Sequence, residues 1–245
     1  SFFLWRIRTF LSFLTLLFFW LAVFAGKNNF AGYQKSQMLT YVVAVAFLRG
    51  LIFSTRTTAL ASWIREGDLN IVLLRPLSIY KFLLSRDLAD KLLNFLFVVF
   101  EIILVMKVFG FSITFPENWL IAAASVVFLF FSFCLYFFLS ITISLTAFWT
   151  DDIWAVRFLF GVIFLDFLSG AFFPLDFLPL WLKSALAFTP FPYLVYYPIK
   201  VWLNQIPILK AGQAMAICFL WLCLFFWLAK WLWNKGFKEY GAYGG

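Results

Sequence analysis

The sequence predicts an all-α integral membrane protein with six transmembrane helices. Its 245 residues are 65% hydrophobic and only 12% charged, whereas soluble domains are about 45–50% apolar and about 25% charged. Several apolar runs reach the roughly 18 residues needed to cross a hydrocarbon core. In lipid such runs form helices, which satisfy their own backbone hydrogen bonds, and the short alternating segments of a β-barrel are not seen. We interpret residues 1–245 as a single transmembrane domain.

The six predicted spans follow the apolar runs in chain order. They occupy residues 9–26, 38–63, 82–109, 119–148, 153–173 and 209–233. An even number of spans places both termini on the same side of the membrane. Lys and Arg are more numerous at the termini and in the connections on that side than in the opposite connections. The positive-inside rule therefore predicts a multi-pass protein of the cytoplasmic (inner) membrane with both termini in the cytoplasm.

Composition also narrows the chemistry that this chain can perform. The formal net charge of +8 is scattered among apolar spans, which favours a role in topology over binding of nucleic acid. Histidine is absent, which excludes histidine-based acid–base catalysis and the HExxH zinc motif. A phosphate-binding loop, a GxSxG nucleophile motif and a cluster of metal ligands are also missing from the sequence. We therefore predict no catalytic residue, no metal site and no cofactor here, so energy for any driven process must enter through another chain.

Residues 174–207 are hydrophobic but contain six of the eight prolines in the chain. Proline lacks an amide hydrogen and breaks regular helices, so a straight span is not expected here. Short helical pieces that lie in or dip into the outer interface fit both properties. We predict an external re-entrant helical hairpin after span five. The prolines are Pro174, Pro179, Pro190, Pro192, Pro198 and Pro207.

Four ionisable residues fall inside the predicted spans: Arg49 and Arg56 in span two, Glu101 in span three and Asp166 in span five. A charge at mid-bilayer costs about 2.5–3.5 kcal/mol, so each should face protein or water and have a partner. Arg49 and Arg56 are seven residues apart, which places them on one face of a continuous helix. They line a pathway, or Arg49 pairs with Asp166 or Glu101 between helices while Arg56 reaches the headgroups. The sequence leaves both interpretations open.

A compact charged and amphipathic segment, residues 66–77, separates spans two and three. Asp68 is a suitable N-cap, Leu69–Leu74 can form about two helical turns, and Pro76 ends them. Leu69, Val72 and Leu73 are predicted to share one face. The segment is either a docking site for a soluble partner or an ordinary cytoplasmic loop. The candidate docking residues are Glu66, Gly67, Asp68, Leu69, Asn70, Leu73, Leu74, Arg75, Pro76 and Leu77.

Several motifs in fixed order resemble the ABC-2 type permeases of ABC transporters. The matching stretches are Glu66-Gly67-Asp68-Leu69 with Leu73-Leu74-Arg75-Pro76-Leu77-Ser78, then Phe148-Trp149-Thr150 with Leu168-Ser169-Gly170-Ala171-Phe172-Phe173-Pro174-Leu175, and finally Gly236-Phe237-Lys238-Glu239-Tyr240. The resemblance implies that residues 66–77 are a coupling helix seated in a nucleotide-binding subunit. It also implies two permease halves, identical or homologous, and two ATPase subunits that hold ATP and Mg. The pathway would then lie at the permease interface, formed chiefly by spans one, two and five.

From this resemblance we expect a non-catalytic permease subunit that exports an apolar or amphipathic molecule, driven by ATP hydrolysis in a separate subunit. Membrane lipid and ABC ATPase subunits are the expected partners. Import is left open. Two other classes also remain open: a channel or secondary transporter that needs no ATP, and a structural subunit of a membrane complex.

Overall fold

The computed structural model describes residues 2–74, 76–150 and 165–240. Within them the chain is mostly helical, as the composition predicts. The α-helices are α1 (Phe2–Val23), α2 (Lys35–Leu48), α3 (Ala59–Glu66), α4 (Leu69–Leu73), α5 (Ile79–Phe109), α6 (Trp119–Leu145), α7 (Leu180–Leu186), α8 (Tyr196–Trp202) and α9 (Ile208–Tyr240). The shorter elements are a π-helix at Arg49–Phe53 and 3-10 turns at Thr146–Phe148, Leu175–Phe177 and Phe191–Tyr193.

Five helical stretches among the described residues are long and apolar enough to cross a membrane. They are Leu4–Val23, Lys35–Phe53, Ile79–Phe109, Trp119–Phe148 and Ile208–Tyr240. This finding agrees with a multi-pass, all-α membrane protein. The first part of the predicted fifth span, residues 153–164, lies outside the described residues. The count of six spans therefore stays a prediction.

The predicted second span, residues 38–63, is wrong as one continuous helix. Helix α2 passes into the π-helix, which ends at Phe53, and the next helix begins only at Ala59. Ser54 has an extended backbone (ψ 113°), so residues 54–58 interrupt the helix. Arg49 and Arg56 therefore do not share one face of a continuous helix.

Local sequence explains where the two central helices begin. The Ser78 hydroxyl accepts a hydrogen bond from the Lys81 amide at 3.4 Å and caps α5. The Asn118 side chain caps α6 by accepting from the Ile121 amide at 3.0 Å. Such side chains satisfy amides that have no partner in the first turn. The third span consequently starts at Ile79 rather than at the predicted residue 82.

A short β-hairpin, with two residues in each strand, joins α1 to α2. The sequence did not predict it. Strand β1 (Asn29–Phe30) pairs antiparallel with β2 (Tyr33–Gln34). The intervening Ala31 and Gly32 both have positive φ, 46° and 85°, as a tight hairpin turn of this kind requires. Helix α1 ends at Val23, before the predicted end of the first span at residue 26.

The helices pack around two main apolar cores. The larger core joins α1, α2, α5, α6 and α8 and contains the fully buried Leu17, Val42, Phe128 and Leu135. The second core includes Leu69 and Leu83 and lies where α3 and α4 meet the start of α5 and the ends of α6 and α9. Residues 66–77 are thus attached to the helical bundle through this second core.

The proline-rich segment, residues 174–207, is divided into short helices as predicted. Its placement as a re-entrant hairpin stays a prediction. The Asp176 carboxylate joins α7, α8 and the β-hairpin, because it accepts hydrogen bonds from Lys183 (2.5 Å) in α7, from Tyr196 (2.7 Å) and Lys200 (2.8 Å) in α8 and from Tyr33 (2.6 Å) in the hairpin. Burial alone raises the pKa of the Asp176 carboxyl, but these hydrogen bonds outweigh burial and hold that pKa well below its usual range.

Candidate functional site

A side groove of about 820 Å³ runs between α1, the π-helix and residues 165–173. Helix α1 contributes a polar face to it, on which Arg8, Ser12 and Thr15 recur at helical spacing. The rest of the wall is mainly aromatic. The aromatic residues are Trp5, Phe19, Phe53, Tyr136, Phe167, Phe172 and Phe173. The groove therefore offers a cation and hydroxyl groups on α1, with aromatic rings both on α1 and on the other walls.

Arg49 and Asp166 form an ion pair in the wall of this groove. Arg49 Nη2 lies 2.7 Å from Asp166 Oδ1, and each side chain is 22% exposed. The guanidinium carbon of Arg49 also lies 5.4 Å from the centre of the Phe172 ring, a favourable distance for a cation–π contact. Of the two partners open to Arg49 from the sequence, the structure selects Asp166. Both residues face the groove, so pairing and lining a cavity are compatible.

Glu101 pairs with Arg6 of α1 rather than with Arg49. Arg6 Nη2 lies 2.5 Å from Glu101 Oε1, and Arg6 Nη1 lies 3.4 Å from the side-chain oxygen of Asn94. Arg6 is 5% exposed, so the pair connects α1 to α5 inside the protein. Sequence reasoning expected a partner for Glu101 but did not identify this one.

Arg56 lies in the interruption between the π-helix and α3. Its Nε and Nη2 donate to Asp90 Oδ1 at 2.9 and 2.6 Å, while about half of the Arg56 side chain remains exposed. Arg56 therefore has a protein partner, Asp90, which the sequence did not identify.

Sequence reasoning missed the polar face of α5 altogether. Asp87, Lys91 and Asn94 are buried on it, at 0%, 3% and 0% exposure. Lys91 Nζ donates to the carbonyl of Ile52, and Asp87 Oδ1 accepts from the amide of Arg56. The spacing of these three residues, four and then three apart, could have indicated the polar face, because such positions share one face of a helix.

The 66–77 segment is anchored on one side and exposed on the other. Leu69 is fully buried, whereas Ile71, Leu74 and Leu77 are 62%, 86% and 58% exposed. Leu73, which shares the predicted face with Leu69 and Val72, is exposed on the protein. The exposed apolar side chains project beside charged residues, a combination that marks interaction surfaces.

Most of the other predicted docking residues in this segment are also accessible. Asp68 occupies the N-cap position, but its side chain makes no capping hydrogen bond, which differs from the prediction. Gly67 ends α3 with a left-handed φ of 81°, a conformation that favours glycine. Arg75 lies outside the described residues. Ile71 is an exposed residue that the predicted docking set did not contain. The exposed members of that set are Glu66, Gly67, Asp68, Asn70, Leu73, Leu74, Pro76 and Leu77.

Comparison with known proteins gives one match that covers most of the chain. The family model described as ABC-2 family transporter protein matches residues 10–244. No curated protein and no solved structure matches this chain.

Proposed function

The chain belongs to the ABC-2 family of transporter proteins, and from that premise we propose that it is a permease subunit driven by ATP hydrolysis in separate nucleotide-binding subunits. Members of this family are normally the non-catalytic transmembrane part of an ABC transporter. ATP and Mg would then be held by the partner, and this chain would convert the partner's movement into transport.

The 66–77 segment is the observation that carries this proposal. Its Leu69 is inserted into the second apolar core, while Ile71, Leu74 and Leu77 remain largely exposed. A segment held in this way can receive a soluble partner on one side and move the helical bundle through the other. We propose that it is the coupling helix and that it lies in the cytoplasm, together with both termini.

The side groove is our candidate for one half of the transport pathway. It is lined by α1, by the π-helix at the end of span two and by the outer part of the predicted span five. A second permease subunit, identical or homologous, would close its open side. Because Arg8 and hydroxyl groups face aromatic rings across the groove, an amphipathic cargo fits it best. Export, rather than import, is our proposed direction.

Co-purification tests the assignment of the partner. We would express the full chain with an ATPase whose gene neighbours its own and measure the ATPase recovered per permease. The variant Leu74→Asp places a charge in the centre of the exposed apolar patch, so it should strongly reduce recovery. Leu180→Asp is a matched control, because Leu180 is 80% exposed, close to the 86% of Leu74, but lies in α7.

The expected result is that wild type and Leu180→Asp retain the ATPase while Leu74→Asp loses it. Equal recovery with Leu74→Asp would remove the 66–77 segment as the docking site. Repeated recovery of the wild-type permease without any ATPase would favour a channel or a structural subunit instead.

A further inference from the structure

The interruption of span two, residues 54–58, is held by two charged side chains of α5. Lys91 Nζ donates to the carbonyls of Ile52 and Ser54 at 2.8 and 2.5 Å. Asp87 Oδ1 accepts from the Thr55 hydroxyl at 2.8 Å and from the Arg56 amide at 3.0 Å. Backbone groups that the interruption leaves without helical partners are thus bound by a single pair of residues, four apart on α5.

The signs of the two charges match the two helix ends that they meet. The last carbonyls of a helix carry partial negative charge, and Lys91 binds carbonyls at the end of the π-helix. The first amides of a helix carry partial positive charge, and the Asp87 carboxylate lies just before α3. Lys91 Nζ and Asp87 Oδ2 are 3.6 Å apart, and their side chains are 4% and 0% exposed. The pair is therefore complementary to a break and not to a continuous helix.

Two further contacts fix the same residues to neighbouring helices. The hydroxyl groups of Thr57 and Ser140 are 2.6 Å apart, which joins the interruption to α6. Arg56 donates twice to Asp90 on α5. Just before the interruption, Gly50 packs against Val98 so closely that a side chain at residue 50 would overlap it. Residues 50–57 are consequently attached to α5 and α6 along their length.

Stability alone does not explain a buried ion pair at this place. Burying two charges costs free energy that their attraction only partly offsets, and apolar replacements of such pairs are often neutral or stabilising. A continuous helix through residues 54–58 would satisfy its own backbone without either charge. What the pair adds is a single fixed geometry between the π-helix and α3, the helix that leads to the 66–77 segment.

We propose that Asp87 and Lys91 are positioning residues that make residues 54–58 a rigid elbow. The elbow joins α3 to α5, so that a displacement of the 66–77 segment passes into the third and second spans instead of bending the chain at residues 54–58. This inference rests on the proposed function, in which an ATPase moves that segment. Neither residue touches the cargo in this role.

A spin-label distance measurement on the full chain in lipid nanodiscs tests the rigidity of the elbow without any ATPase. Labels at Arg65 in α3 and Ser85 in α5, both exposed, would be introduced after replacement of the three cysteines. We expect a narrow distance distribution in the wild type. The variant Asp87→Leu/Lys91→Met should broaden it about twofold, because segments without satisfied contacts become locally mobile.

Two further variants keep this measurement decisive. Asp87→Asn keeps an acceptor for Thr55 and Arg56 but removes the counter-ion of Lys91, so it should give an intermediate width even if the double variant does not fold. Glu101→Gln is the matched control: it removes another charged partner on α5, away from the elbow, and should leave the width unchanged. Wild-type widths in both Asp87 variants would overturn the proposal.

The transmission role is tested with the same label pair in the complex with the ATPase. In the wild type the distance between the labels should be the same without nucleotide and after trapping with ATP and vanadate, because the elbow moves as one body. In the Asp87 variants trapping should shift it. A shift in the wild type would overturn the elbow. Failure to recover any ATPase would overturn the proposed function and the transmission role with it, while the width measured without ATPase would still decide whether the elbow is rigid.

Discussion

Removal of the Asp176 carboxylate is the sharpest test of how the proline-rich segment is held. In the variant Asp176→Ala, Lys200 loses its counter-ion while its side chain stays only 10% exposed. The hydroxyl groups of Tyr33 and Tyr196 lose the oxygen to which they donate at 2.6 and 2.7 Å. The segment would then be held to the β-hairpin by the 3.2 Å hydrogen bond from Lys200 Nζ to the Tyr33 hydroxyl and by the contacts of Phe177 with Phe30 and Tyr33.

The size of the effect follows from these contacts. Removing one partner of a buried ion pair costs about 3–5 kcal/mol. Asp176 is 21% exposed, so the lower end of this range, about 3 kcal/mol, is appropriate. For a chain of about this length, each kcal/mol lowers the unfolding midpoint by about 2–4 °C, so a decrease of about 6–12 °C is expected.

Thermal unfolding of the purified chain in detergent provides the measurement, and Lys183→Ala provides the control. Lys183 contacts the same carboxylate at 2.5 Å, but its side chain is 36% exposed. An exposed pair contributes about 0–1 kcal/mol, so Lys183→Ala should lower the midpoint much less than Asp176→Ala. Equal decreases for the two variants, or no decrease for Asp176→Ala, would refute the view that burial of the Lys200 pair holds the segment.

The stability lost in Asp176→Ala should also depend on pH. The pKa of Asp176 is lower in the folded chain, so its contribution is present above the unfolded value of about 3.9 and is lost only as the pH falls through the folded pKa. Burial lowers the pKa of Lys200, and Asp176 partly offsets this. Without Asp176 the pKa of Lys200 falls further. The stability difference between wild type and Asp176→Ala should therefore shrink as the pH rises and Lys200 loses its proton, first in the variant and then in the wild type.

Two further predictions concern helix packing and orientation. Gly50→Ala should cost about 1–3 kcal/mol because the added methyl group overlaps Val98. Gly212→Ala, in α9 with open space around it, should instead be neutral or stabilising by up to about 1 kcal/mol, and thermal unfolding compares the two. For orientation, a cysteine introduced at Asn70 should react with an impermeant maleimide only from the cytoplasmic side and one at Phe30 only from outside; reaction of position 70 from outside would reverse the proposed topology.

Local features of the sequence were sufficient for most of the helices. The apolar runs predicted the five helices that are long and apolar enough to cross a membrane, because length and hydropathy are properties of each segment alone. The prolines of residues 174–207 correctly indicated short helices, since proline acts on its own backbone.

The interruption at residues 54–58 could not be predicted in the same way. This stretch contains Ser, Thr and Arg but neither proline nor glycine, so nothing local forces the helix to end. The groups that stabilise the break, Asp87 and Lys91, lie more than 30 residues further along the chain. A continuous span of residues 38–63 was therefore the natural interpretation, and it was wrong.

The sequence by itself determined that this chain is a helical membrane protein with an amphipathic segment outside the apolar spans. Only the tertiary structure decided that Arg49 pairs with Asp166, that Glu101 pairs with Arg6, and that span two ends in a break held by α5. The physical reason is that a charge in an apolar surrounding requires a partner, and this requirement can be inferred from sequence alone. The identity of the partner depends on how helices that are distant in sequence pack together.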